Sequence, residues 1–214
     1  MIKVSNLDDN KKKESIIRIG IISDTHVPDR VGNLHPDVIP IFTDLKVDHI
    51  LHAGDISSPT VIELLEKVAP CTSVKGNRDW FKKENEETVK YISFNNVRVC
   101  LNHGHGSLFF YLADKIPYVL FGYHFERYYR NLRKYIDDAT IIVFGHTHQI
   151  ENRWINNRLF FNSGSAYDSG NDGSGPTIGL IEIGADQSIS GKIIPLRKAR
   201  WTNTGWVFRE NGVS

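Results

Sequence analysis

Cysteine is nearly absent: the 214 residues contain two, Cys71 and Cys100, both in apolar runs that read as strands. That excludes a disulfide scaffold and favours two buried thiols in a reducing compartment. An excess of charge of one sign is also lacking. Twenty-six Lys and Arg face twenty-five Asp and Glu, for a net charge of +1, so the basic stripe used against nucleic acid in bulk is missing. No apolar run approaches the roughly 18 residues of a membrane span. The N-terminal stretch, with Lys11-Lys12-Lys13, has no apolar signal core, and the sequence reads as cytoplasmic with no membrane partner. What remains is an ordinary globular composition, 40% apolar and 24% charged. A chain of this length buries roughly 70% of its unfolded surface and can build a core of its own.

The expected organisation is a charged, poorly ordered leader over residues 1–15 followed by a single domain over 16–214. Ile16 to Ser23 is a β-branched run ending in polar residues and reads as a buried strand. Pro36 to Leu45 reads as a helix, His49 to His52 as a strand, Pro59 to about Val68 as a helix and Cys71 to Lys75 as a strand. That alternation predicts an α/β layered sheet with short crossovers. Asn95-Asn96 and Asn156-Asn157 each predict a tight hairpin turn, between Thr88–Phe94 and Val97–Leu101 and within Arg153–Phe161. Thr140 to Phe144 is a further buried strand. Thr177 to Ile183, Ile189 to Pro195 and Gly205 to Phe208 are expected to supply a second sheet, giving two facing sheets flanked by helices.

Polar residues collect just after the strands. Asp24-Thr25-His26 follows the first, Gly54-Asp55 the second and Gly76-Asn77-Arg78-Asp79 the third. His103-Gly104-His105 and Gly145-His146-Thr147-His148 follow two later ones. The carboxyl edge of an open α/β sheet is where ligands bind. On extended backbone, residues i and i+2 share a face, so Asp24 with His26, and His146 with His148, are each expected to address one small volume. Imidazole, carboxylate and amide ligands without thiolate suit Mn, Fe, Co, Ni or Zn and disfavour a closed structural zinc site. Seven ligands (Asp24, His26, Asp55, Asn77, His103, His146 and His148) are too many for one ion that keeps a position for substrate. They fit two divalent ions, which would polarise a phosphate and acidify a bridging water into the nucleophile.

These motifs as a set resemble the calcineurin-like metallophosphoesterase superfamily. The short length and Ser23-Asp24-Thr25-His26 resemble its small prokaryotic phosphodiesterases related to the retromer subunit Vps29. The resemblance spans about residues 16–196. It implies a four-layer α/β/β/α sandwich of two facing mixed sheets, with two divalent ions at the sheet edge, manganese first among the candidates. It implies Asp24, His26 and His148 around one ion, Asn77, His103 and His146 around the other, and Asp55 between them. The implied activity is hydrolysis of a phosphate ester, small or nucleotide-like, with diesters favoured over monoesters. The alternative is a Vps29-like interaction scaffold with a vestigial metal site, and a third reading is a mononuclear hydrolase of amides or esters.

Three departures matter. Arg78 stands where many relatives carry a histidine that protonates the leaving group; arginine can clamp a phosphate but gives no proton at neutral pH. His105 is then either the proton donor or a residue that orients the site. The aromatic, basic stretch 107–135 is expected to be helical, interrupted near Pro117. Its apolar side is core, or else a lid or the surface of a homodimer; Arg127, Arg130, Arg133 and Lys134 read as a solvated helix face. Phe161-Asn162-Ser163-Gly164-Ser165 lacks the proline common in relatives, which should loosen that loop. His52 reads as support for Gly54-Asp55, Arg30 as a phosphate contact or a cap, and His35, His49 and His124 as structural or exposed.

Overall fold

The structure is a computed structural model that describes residues 16–79, 87–104, 124–167 and 175–208. The leader 1–15, His105 and most of the aromatic stretch (105–123) lie outside the described residues.

Two five-stranded mixed sheets face each other. The first holds β1 (Ile17–Ile22), β2 (His49–His52) and β3 (Cys71–Ser73) in parallel, with β9 (Thr177–Ile183) antiparallel to β1 and β10 (Ile189–Pro195) at the edge. The second has the order β4 (Val89–Phe94), β5 (Val97–Asn102), β6 (Ile141–Val143), β8 (Arg158–Ser163) and β7 (Ile150–Ile155). Within it β5, β6 and β8 run parallel.

This corrects one sequence expectation. Thr177–Ile183 and Ile189–Pro195 join the first sheet rather than building the second, and Gly205–Phe208 (β12) pairs with Ala199–Thr202 (β11) in a separate hairpin. Period-2 apolarity marks a strand but carries nothing about its neighbour. Both Asn-Asn turns are as expected. Asn95 and Asn96 (φ 46° and 61°) and Asn156 and Asn157 (48° and 59°) are all left-handed, as a two-residue turn matched to strand twist requires.

Strands apolar on both sides read as continuous runs because each face meets a different layer. Ile19 and Ile21 of β1, Val99 and Leu101 of β5 and Phe161 of β8 fill the space between the sheets. Ile22 instead packs with Val38 and Phe42 of α1 (Val38–Asp44) and Val61 and Leu65 of α2 (Pro59–Glu66). On the far side Cys100, Ile142 and Phe160 meet Phe125 and Leu132 of α3 (Phe125–Leu132). The result is α/β/β/α. Ser58 caps α2 by accepting the Thr60 N–H, with Pro59 at the first helical position. Arg130, Arg133 and Lys134 are exposed and Arg127 is half-buried, much as a solvated helix face requires. Both cysteines are free thiols. No helix among the described residues is long and apolar enough to cross a membrane.

The start of α1 is tied to the segment after β10. Asp37 accepts the Arg197 N–H at 3.0 Å and its guanidinium at 3.0 Å, while His35 bridges the Asp37 N–H and the Arg197 carbonyl. The Arg197 side chain, more than burial, sets the Asp37 pKa, holding it below the usual carboxylate range. A depressed native pKa means the tie stabilises above the unfolded value of about 3.9 and is lost as pH falls through the native one. Asp37→Asn should therefore lower the melting temperature near pH 7 by about 2–4 °C, a modest loss because the arginine is exposed. The gap to wild type should close as pH drops below about 4; a pH-independent gap would mean the carboxylate charge is not involved.

Candidate metal centre

β1, β2, β3, β5 and β6 all end at one edge, and their following loops carry the polar clusters. Beyond the sheet the first two loops continue the pairing: Ala53 N–H to Ile22 O (2.9 Å), Asp24 N–H to Gly54 O (3.0 Å) and His26 N–H to Asp55 O (3.0 Å). The pleat, however, is gone. Asp24 (φ 51°), His26 (49°), Asp55 (55°), His146 (72°) and His148 (56°) all have left-handed backbones. Such residues cost of order 1–3 kcal/mol each and persist where the surroundings enforce them. The expectation that each i, i+2 pair shares a face of extended chain is therefore corrected. Asp24 and His26 still converge, with Asp24 Oδ1 3.9 Å from His26 Nε2, while His146 and His148 have different neighbours. His148 Nε2 lies 3.3 Å from Asp24 Oδ1, whereas the His146 ring lies against His103, centroids 5.2 Å apart.

Two clusters result. In the first, the Nε2 atoms of His26 and His148 face each other at 3.3 Å beside Asp24 Oδ1, which is buried and accepts no hydrogen bond. In the second, His103 Nε2 lies 3.3 Å from Asp55 Oδ1 and 3.1 Å from the Asn77 side-chain amide. Asp55 also reaches the first cluster, its Oδ2 3.6 Å from His26 Nε2. Asp24, His26 and His148 have donor atoms close enough to share one ion, as do Asp24, Asp55 and His103.

The donor set fits a cation. Facing imidazole nitrogens and an orphaned buried carboxylate oxygen are costly arrangements that positive charge between them would relieve. His103 is oriented for this, since its Nδ1–H donates to Ala53 O at 2.6 Å and points Nε2 into the cluster. Burial opposes ionisation of Asp24, yet His148, His103 and His26 hold its carboxyl well below the usual range. Asp55 is likewise lowered against its burial, chiefly by His103, to about 2. His103 is raised against its own burial, by Asp55 and Asp24, to about 9. Burial lowers His26.

The supporting shell explains several motif residues. Asp79 is not at the cluster: its carboxylate accepts the N–H groups of Ile56 and Ser57 at 2.7 Å and of Gly76 at 2.8 Å, locking the second loop to the third. A Cβ at Gly145 would collide with Ser23 Oγ, and one at Gly76 with the Asp55 nitrogen. His52 accepts the Gly54 N–H on Nδ1 and contacts Thr25 Oγ1 through Nε2 at 3.2 Å; Thr25 in turn donates to Ile56 O. The loop lacking proline is tied to the site by side chains. Asn162 donates to Gly145 O and Thr147 Oγ1, and Ser165 Oγ donates to Asp24 O at 2.9 Å. Arg78 is partly exposed at the rim, its Nη1 3.7 Å from Asp29.

The motif spacing did not disclose Tyr167. Its ring packs edge-on against His26 (5.2 Å) and His148 (5.8 Å). It reaches His26 from a loop too distant in sequence for any local pattern to link the two, and burial raises its phenol pKa. Asp29 was missed as well, although it follows His26 by only three residues.

Residues 17–186 match the calcineurin-like phosphoesterase superfamily domain. A probable metallophosphoesterase of Methanothermobacter thermautotrophicus is 33% identical over 147 residues, 69% of this chain and 76% of that protein. A phosphodiesterase of Methanocaldococcus jannaschii is 31% identical over 142 residues, 59% of this chain and 81% of that protein. Among solved structures, Vps29 of Cryptosporidium parvum superposes with a TM-score of 0.62 at 16% identity, covering 85% of this chain and 99% of that one. An archaeal phosphodiesterase gives a TM-score of 0.56 at 22% identity, covering 83% and 100%; at such identities these two speak for the fold alone. The chain belongs to the calcineurin-like phosphoesterase superfamily.

Proposed function

We propose that this phosphoesterase is a phosphodiesterase with two divalent metal ions, manganese being the first to test. Asp24, His26 and His148 would hold one ion, and Asn77, His103 and His146 the other. Asp55 carries the proposal: one oxygen lies 3.6 Å from His26 and the other 3.3 Å from His103, so a single carboxylate addresses both halves. When bound, such ions supply Lewis-acid polarisation of a phosphoryl oxygen and a nucleophilic water near neutral pH.

The chain's own residues do the rest. Asp24 and Asp55 cancel part of the added charge and leave enough to attract a phosphate. Arg78 at the rim takes a phosphate oxygen as a charge-assisted donor. It gives no proton at neutral pH, so esters with good leaving groups, including diesters, are the substrates it suits. The phosphodiesterase name of the M. jannaschii relative supports the same class. His105 is proposed as the proton donor or an orienting residue. The scaffold alternative is disfavoured because all seven ligand positions are filled by competent side chains.

The test is metal content of protein purified without chelator, with turnover of bis-p-nitrophenyl phosphate with and without Mn²⁺. About two ions per chain and metal-dependent turnover are expected. One ion with ester or amide hydrolysis would favour a mononuclear hydrolase; neither metal nor turnover would leave the scaffold reading.

A further inference from the structure

His26 has an unfinished connection. Its side chain is 3% exposed, and Nε2 points into the cluster towards His148 and Asp55. Its Nδ1 is buried without a hydrogen-bond partner. A carboxylate oxygen, Asp29 Oδ2, stands 3.4 Å from it, just beyond the 2.7–3.2 Å of a formed N–H···O bond. The chain places it there by a tight turn, in which the His26 carbonyl accepts the N–H groups of Arg30 at 2.8 Å and Val31 at 3.3 Å. Tyr167 packs edge-on against the same imidazole. The same Asp29 oxygen lies 3.7 Å from Arg78 Nη1.

We propose that Asp29 is a positioning residue that accepts the Nδ1–H of His26 when Nε2 holds a metal ion, and that it anchors Arg78 at the rim. This rests on the metal-centre reading above. An imidazole that ligates through Nε2 must carry its proton on Nδ1, and a buried N–H needs an acceptor. A small approach together with a turn of the Asp29 carboxylate into line with Nδ1–H closes the bond. It fixes the tautomer and strengthens His26 as a ligand, and the shared oxygen links metal loading to the placement of the phosphate-facing cation.

The test uses the full chain stripped of metal and titrated with Mn²⁺ by calorimetry, followed by kcat and KM for bis-p-nitrophenyl phosphate at saturating Mn²⁺. Asp29→Ala should weaken one of the two Mn²⁺ sites by about 10–100-fold. Asp29→Asn, which keeps an acceptor oxygen, should recover part of that affinity. Asp29→Ala should also raise KM as Arg78→Ala does, with the double variant no worse than either, since residues acting through one contact are not additive. Metal-free Asp29→Ala should melt within about 2 °C of wild type, as expected for a partly exposed position. Unchanged Mn²⁺ affinity, or weakening that tracks a loss of metal-free stability, overturns the proposal. Wild-type turnover with an Asp29→Ala protein that binds Mn²⁺ normally would sink the Asp29 role alone. Asp29-dependent Mn²⁺ binding without any turnover would sink only the phosphodiesterase reading, and absence of Mn²⁺ binding in wild type would sink both.

Discussion

Asp55→Asn is expected to lower Mn²⁺-dependent diester turnover by on the order of 10³-fold or more while leaving the fold intact. The substitution keeps the shape of the side chain and an oxygen to accept the Arg78 N–H, which Oδ1 receives at 2.8 Å in the native protein. Asparagine also tolerates the left-handed backbone at φ 55°. What it removes is the negative charge between the two clusters. Metal ions stabilise a phosphoryl transition state by several kcal/mol, and about 1.4 kcal/mol is tenfold in rate. On the proposed two-ion reading, losing the carboxylate predicts the factor above, with metal content falling from about two ions per chain to about one or fewer. The check is turnover and metal content measured on the same preparation, with thermal melting to show that folding is retained. Wild-type turnover in this variant would remove Asp55 from the mechanism.

Asp79→Ala is expected to act differently, through stability. This buried carboxylate accepts three backbone N–H groups from two loops. Truncating it leaves those donors without their acceptor, at about 1–3 kcal/mol for each that water does not satisfy. A total of about 3–5 kcal/mol follows, or a melting point lower by roughly 10 °C for a chain of this size. The same bonds hold the loop that presents Asp55 to the loop that presents Asn77, so metal affinity should fall with stability. Urea unfolding of the metal-free protein separates this from the behaviour of a ligand. A variant of wild-type stability would show that the three N–H groups find other partners.

Most of the candidate site was legible because metal chemistry restricts residue types. Only a few side chains offer imidazole, carboxylate or amide donors, and the strand ends carried them. Asp79 was legible as part of a motif but not as a clamp, since a carboxylate that binds metal and one that binds backbone N–H groups read alike. Asp29 and Tyr167 escaped for opposite reasons. Asp29 is close to His26 in sequence, but only the turn geometry brings its carboxylate towards Nδ1; Tyr167 reaches the same imidazole from a distant loop.

Most of the strands, the two Asn-Asn turns, the α/β class and the candidate ligand set were legible from sequence, because local propensity, apolar period and donor chemistry are written residue by residue; the strand Ala199–Thr202 was not. Tertiary structure alone decided that β9 and β10 complete the first sheet, since strand pairing depends on register and burial over long separations. It alone decided the backbone of the site, since the left-handed conformations of Asp24, His26, Asp55, His146 and His148 persist only where the surrounding structure enforces them.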